Sequence, residues 1–355
     1  MKKIINSAER MKEEISVSSA LPLQRDLFRG QNKGILKRLN PLKGYKFIDL
    51  FAGIGGIRIP FDELGAQCVF SSEWDKYSKI TYQANFGEQP HGDITKIQER
   101  DIPAFDILLA GFPCQPFSHA GLKKGFEDAR GTLFYDICRI VDFHKPSVLF
   151  LENVKGFRGH NKGNTFRVVK ETLISLGYTV YTQVLNARDF GLPQNRERIY
   201  IVAFKNKIVF DFPVPNNATA CVGDVLDRVV DKKYTISDRL WQGHQRRKKE
   251  HQEKGNGFGY SIFDAKSKYT STISARYYKD GSEILIRQKN KNPRKVTPKE
   301  AARLQGFPDS FVIPVSDVQA YKQFGNSVSV PVIKAIAEEI SDALNRDSQN
   351  EKQEA

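Results

Sequence analysis

The chain has 355 residues, an apolar fraction of 40% and 24 phenylalanines; this is enough for two domains or one large domain with an appendage, and too apolar for a disordered protein. A formal net charge of +14 points to a polyanionic partner, nucleic acid first and an anionic membrane surface second. No stretch has the length of a membrane span, the lysine-rich start lacks the apolar segment of a signal peptide, and Cys68, Cys114, Cys138 and Cys221 show no CxxC spacing. A membrane protein, a disulfide scaffold and a metal site are therefore not expected, and a cytoplasmic protein with free thiols is.

Residues 1–44 are polar, rich in Lys and Arg, and read as a basic N-terminal arm. From Lys46 short apolar runs alternate with amphipathic stretches. "KFIDLF" (46–51) predicts a buried strand, followed by a glycine turn and a helix ending near Gly65. "QCVFSSE" (67–73) predicts a second strand and 75–86 a helix; "FDILLAG" (105–111) and "SVLFLEN" (147–153) are further strands around the amphipathic "TLFYDICRIVDFH" (132–144). A helix–strand pair through 164–186 and "RIYIVAF" (198–204) close the series. This alternation predicts an α/β fold with a doubly wound, mostly parallel sheet over residues 45–212. Beyond it the rhythm breaks. "HQRRKKEHQEKGNGFGYS" (244–261) is charged and glycine-containing, and "TSTISARYYKDGSEILIRQKNKN" (270–292) has strand character around a Lys-Asp-Gly turn, so 213–296 reads as a smaller β-containing domain. "TPKEAARLQGF" (297–307) starts a helix with Thr297 as cap, Pro298 at the first position and Glu300 completing a capping box. Helices returning to the first domain fill 297–345, and 346–355 is a polar tail.

"DLFAGIGGIR" (49–58) follows a buried strand and opens a helix, the place where an open α/β sheet binds ligands. Gly53 and Gly55 let a ligand approach the backbone, although the pattern is not G-x-G-x-x-G, because Gly56, Ile57 and Arg58 follow. Glu73 ends the next strand at the spacing where a carboxylate accepts from ribose hydroxyls. Trp74 offers a flat face for adenine, and Asp93 of "GDI" can read its amino group. The plain alternative is a tight turn beside a surface Glu–Trp pair; these features together favour a nucleoside cofactor.

Cys114 lies between Pro113 and Pro116 in "GFPCQPFS" (111–118). Proline fixes φ and pushes the preceding residue out of the helical region, so this thiol is aimed from a stiff loop at the strand ends. A lone cysteine is usually a small buried apolar residue, yet Gln115 and Ser118 argue against a core position. Glu152 reaches the same edge on "SVLFLENV", while Arg196 and Arg198 stand two apart in "QNRERIY", on one face of a strand. Taken singly, the acid reads equally as a cap and the arginines as a solvated face. Together with a thiol they suggest nucleophilic chemistry on an anionic substrate.

The ordered blocks "FIDLFAGIGGIR", "SSEWDKYS", "GDI", "GFPCQPFS", "ENV", "QNRERIYIV", "TPKEAARLQGFPDSF" and "AYKQFGNSVSVPV" resemble the DNA (cytosine-5)-methyltransferases, and closely the HhaI-type bacterial restriction–modification enzymes. The resemblance implies a Rossmann-like fold using S-adenosylmethionine, with a smaller target-recognition domain. It also implies that Phe51, Gly53, Gly55, Glu73, Trp74, Asp93, Ile94, Pro113 and Asn326 hold the cofactor. Cys114 is then the nucleophile, with Glu152, Arg196 and Arg198 around a flipped cytosine. Residues 118–132 match the loop that closes over DNA, which puts Ser118, Lys123 and Lys124 on it. Arg246 and Arg247 suit phosphate contacts, although a solvated basic face explains them nearly as well. The segment 271–286, holding Thr272 and Arg276, resembles the recognition segment of enzymes acting on the inner cytosine of CCWGG or CCNGG; "HQEKGNGFGYS" is similar to that of enzymes acting on CCGG. The partners implied are double-stranded DNA and a restriction endonuclease sharing the site without a stable complex, with the chain itself a monomer. A tRNA cytosine methyltransferase shares the blocks with a shorter recognition region. A nicotinamide oxidoreductase leaves Cys114 and Glu152 idle, and a non-catalytic DNA-binding protein leaves the converging polar residues unexplained.

Overall fold

Residues 40–113, 133–215 and 219–354 are described by the computed structural model; Cys114, Ser118, Lys123 and Lys124 lie outside them. The first four apolar runs become strands β1 (Lys46–Leu50), β2 (Gln67–Ser72), β3 (Ile107–Gly111) and β4 (Val148–Val154). Helices α1 (Arg58–Glu63), α2 (Lys76–Phe86) and α3 (Leu133–His144) lie between them in the chain. After β4 come α4 (Asn164–Ser175), β5 (Thr179–Asn186) and β6 (Glu197–Phe204). The six strands form one sheet in the order β2-β1-β3-β4-β6-β5. Ile107, Leu108, Leu109 and Ala110 are fully buried, the continuous apolar run expected of a central parallel strand covered on both faces. One core holds Phe47, Phe61, Phe150 and Ile336, and a second holds Ile48, Leu50, Leu108 and Ile140. Adjacent residues of β1 thus enter different cores, as the two-residue period of a strand requires.

The sheet is parallel except at β6, which runs antiparallel to both β4 and β5. Only a short connection with one 3-10 turn (Ala187–Phe190) separates β5 from β6, too short for the crossover that a parallel return needs.

The stretch 213–296 departs more from expectation. Its sheet contains β7 (Ile262–Phe263), β8 (Leu285–Ile286) and β9 (Arg294–Lys295), in that order. Of the strand character expected over 270–292, only Leu285–Ile286 forms a strand. Residues 274–281 instead close on themselves, with Tyr277 N–H donating to Ser274 O, Lys279 to Arg276 and Gly281 to Tyr277. The charged stretch before it is the helix α5 (Asp238–Glu253), capped by Ser237. Only His244 of that helix is buried, so it lacks the apolar stripe by which a helix is read.

The expected capping box opens α6 (Pro298–Leu304): Thr297 accepts from Glu300 N–H and Glu300 accepts from Thr297 N–H. Glu300 is fully buried and also holds Arg294 at 2.7 Å. Helix α7 (Asp317–Asn326) follows, and α8 (Val330–Glu354) runs on through the stretch read as a polar tail.

Candidate active site

Strand register brings the key residues to one edge. Leu50 pairs with Ser72 and with Ala110, and Gly111 pairs with Glu152, so β1 to β4 end level. Because β6 is antiparallel, its start lies at that same edge, with Val154 opposite Arg198. A cavity of about 730 Å³ opens there. It is lined by the turn residues Phe51 and Gly53, by Glu73, Trp74, Asp93 and Ile94, by Pro113, Glu152 and Arg198, and by Thr272 and Asn326.

At the nucleoside end, Glu73 is buried; its Oε2 accepts Gly53 N–H at 2.8 Å and its Oε1 accepts Asp75 N–H at 2.7 Å. Burial pushes this carboxyl up, opposed by those N–H groups. Each oxygen keeps acceptor capacity for a ligand hydroxyl. Asp93 is brought alongside because His91 pairs with the end of β2, donating to Ser71 O and accepting from Glu73 N–H. Trp74 is 78% exposed, a flat and largely open apolar face. Gly55 points away from the cavity: a Cβ there would meet the Phe86 ring, and its φ of +82° is one that L side chains rarely adopt. This acceptor set, with a planar face beside two carboxylates, fits the hydroxyl and amino donors of the adenosine of S-adenosylmethionine.

At the other end Glu152 is buried, and Arg198 Nε lies 3.1 Å from its Oε1. Burial pushes the Glu152 carboxyl up, against the pull of Arg198 and then of Arg196. Arg196 corrects the expectation of two arginines on one strand face. Strand β6 starts at Glu197, and the Arg196 guanidinium, 2% exposed, turns into the protein. It donates to Ile273 O at 3.1 Å, to Gly325 O at 3.2 Å and to Ser327 O. It is a clamp that fixes residues 273 and 325–327 as cavity walls.

Of the recognition residues, Thr272 lines the cavity, and its hydroxyl donates to Asn195 O. Arg276 and Arg246 are exposed, Arg246 pairing with Glu250 at 3.6 Å. Arg247 is occupied by Asp280 at 3.1 Å and by His244. Cys68 and Cys138 are not rivals for a nucleophile, since burial pushes the Cys68 thiol up to about 12 and Cys138 well above its usual range.

Asn153 and three residues of α7 escape the sequence reading. Asn153 Nδ2 donates to Phe112 O at 2.8 Å, holding the backbone that leads into Pro113 and Cys114. Gln319, Lys322 and Gln323 line the cavity with Asn326; their i, i+3, i+4, i+7 spacing is one helical face.

A doubly wound sheet whose strand ends open on one cavity, lined by Glu73, Trp74 and Asp93 and by the buried Glu152–Arg198 pair, has the architecture of a Rossmann-like enzyme. The chain belongs to the C-5 cytosine-specific DNA methylase family, whose description matches residues 45–342. Type II methyltransferase M.NlaX of Neisseria lactamica is 64% identical over 305 residues, covering 85% of this chain and 97% of that protein. M.DsaV of Dactylococcopsis salina is 60% identical over 302 residues, 84% of this chain and 86% of that one. M.HhaI of Haemophilus parahaemolyticus is 45% identical over 320 residues, 86% and 96%. In fold alone, the solved Entamoeba histolytica methyltransferase EhMeth matches with a TM-score of 0.70 at 23% identity, over 85% of this chain and 99% of that one. The protein is thus a DNA (cytosine-5)-methyltransferase whose methyl donor is S-adenosylmethionine. No helix among the described residues is long and apolar enough to cross a membrane.

Proposed function

We propose that the chain methylates one cytosine within a short recognition site of duplex DNA, as the modification enzyme of a bacterial restriction–modification system. The observation that supports this is one cavity bordered both by Glu73, Trp74 and Asp93 and by Glu152 and Arg198, which brings a methyl donor and a base within reach of each other. Stacked in a duplex, carbon 5 is unreachable, so the nucleotide is flipped out at a cost of about a few kcal/mol. The Cys114 thiolate adds to carbon 6, forming the C6–S bond and driving electron density toward ring nitrogen 3, so that carbon 5 becomes enamine-like. Glu152, whose carboxyl burial pushes up, donates to nitrogen 3 in its protonated form and accepts from the exocyclic amine, stabilising that density. Arg198 donates to the base oxygen, and its charge favours the thiolate. S-adenosylmethionine, held by the turn at Gly53 with Glu73, Trp74, Asp93 and Asn326, supplies an electrophilic methyl carbon when bound. A base then removes the carbon-5 proton, the C6–S bond breaks, and Cys114 leaves as thiolate.

The target is the inner cytosine of a CCNGG, CCWGG or CCGG site, with Arg276 reading a guanine by a bidentate contact and Ser118, Lys123, Lys124 and Arg246 on the DNA backbone. The chain works as a monomer, and a restriction endonuclease shares the site without a stable complex. Bisulfite sequencing of DNA from cells expressing the protein tests the assignment: 5-methylcytosine at one of these sites, absent with Cys114→Ser, supports it. Methylation confined to an unrelated motif overturns the target.

A further inference from the structure

The cavity wall contributed by α7 holds one charge that the chemistry above does not use. Among the lining residues Glu73, Asp75, Asp93 and Glu152 are acids, and the cations are Arg198 and Lys322. Arg198 is engaged by Glu152. Lys322 forms no ion pair among the described residues; its ammonium rests over the Tyr278 ring, 5.0 Å from the centroid. Two of the acids are already committed locally, Asp75 capping α2 through Tyr77 and Ser78 N–H and Asp93 accepting from Thr95. An acid-lined cavity suits the sulfonium and ammonium of S-adenosylmethionine, but that ligand also carries a carboxylate. A carboxylate entering such a cavity needs a cation to offset both desolvation and the like charges around it.

We propose that Lys322 is the binding residue for the amino-acid carboxylate of S-adenosylmethionine. The wall it stands on is held rigidly. Thr81 Oγ1 of α2 donates to the neighbouring Gln323 Oε1 at 3.0 Å, and the Arg196 clamp takes Gly325 O. A cation placed on a fixed wall loses less freedom on binding than one on a loop.

The inference rests on the cofactor occupying this cavity, and the experiment separates the two. The full-length protein is titrated by calorimetry with S-adenosylmethionine and with its decarboxylated analogue, which keeps both positive charges. Lys322→Met is expected to weaken S-adenosylmethionine about tenfold to a hundredfold, the range for a hydrogen bond to a charged group. It leaves the decarboxylated analogue bound as by the wild type, and Lys322→Arg restores most of the affinity. Equal loss for both ligands, or no loss for either, overturns the proposal; in the second case a fall in duplex DNA affinity assigns Lys322 to a phosphate instead. Trp74→Ala is the control for the cavity itself. If it leaves S-adenosylmethionine affinity untouched, the cofactor lies elsewhere and the proposal falls with the site.

Discussion

Gly325 is the point where the cofactor wall touches the recognition segment, and replacing it with alanine is an exacting perturbation. A Cβ at this position would lie well under 3.0 Å from Ser274 C and O and from Ala275 N. These are backbone atoms, so trimming a neighbouring side chain cannot make room. Alanine would gain about 1 kcal/mol of helix propensity. Against that stand about 1–3 kcal/mol of overpacking and about 1.5–3 kcal/mol for weakening one charged hydrogen bond of the Arg196 clamp. The clash wins, and Gly325→Ala should be destabilised by roughly 1.5–5 kcal/mol. Urea denaturation gives that figure, and methylation kinetics on duplex DNA should show a lower kcat/KM, because residues 272–275 line the cavity. Adding Ser274→Ala should not restore stability. A Gly325→Ala protein as stable as the wild type would refute the claim that these two backbones are in contact.

Asp49 is buried, and that burial raises it from 3.8 to about 8. Between those values the folded chain binds more protons than the unfolded one, so stability falls as pH rises from about 4 to about 8. Asp49→Asn should flatten that slope in denaturation curves; an unchanged slope counts against the buried acid. Glu152→Gln keeps the shape but cannot exchange its proton, and should slow single-turnover methylation by about a hundredfold to ten-thousandfold. Because burial raises Glu152, the wild-type rate should fall as pH climbs through its pKa while the residual Glu152→Gln rate does not; equal rates at all pH would remove Glu152 from the reaction. Arg196→Lys cannot reproduce a planar fork onto three carbonyls, so it should lower the urea midpoint while Arg198→Lys lowers chiefly the rate. An unaffected midpoint for Arg196→Lys would contradict the clamp.

Much of the six-stranded sheet and its helices was legible because their signals are local. β3 reads as buried from Ile107–Ala110 alone, and α6 from Thr297, Pro298 and Glu300. The edge holding Glu73, Asp93 and Glu152 followed from strands ending level. What escaped depended on tertiary partners. Helix α5 is stabilised through its cap and its Arg246–Glu250 and Lys249–Glu253 pairs, which leave no apolar period. The segment at 270–273 gives its backbone bonds to Pro193, Gln194 and Asn195, so its β-branched residues form no strand of the small sheet. Arg196 looked like a substrate residue because two-residue spacing places side chains on one face only inside a strand, and the strand begins one residue later. Lys322 and Gln323 sat inside a quoted block, but no spacing within one helix reveals which face meets a cavity.

A covalent trap tests the account most directly. A duplex carrying 5-fluorocytosine at the target cytosine cannot lose its carbon-5 substituent as a proton, so the enzyme should stall with sulfur bonded to carbon 6. Incubation with S-adenosylmethionine should give a denaturation-resistant complex whose cross-linked peptide contains Cys114, and none with Cys114→Ser. A wild-type enzyme that methylates ordinary duplex yet never forms this adduct, or forms it through another residue, would contradict the account.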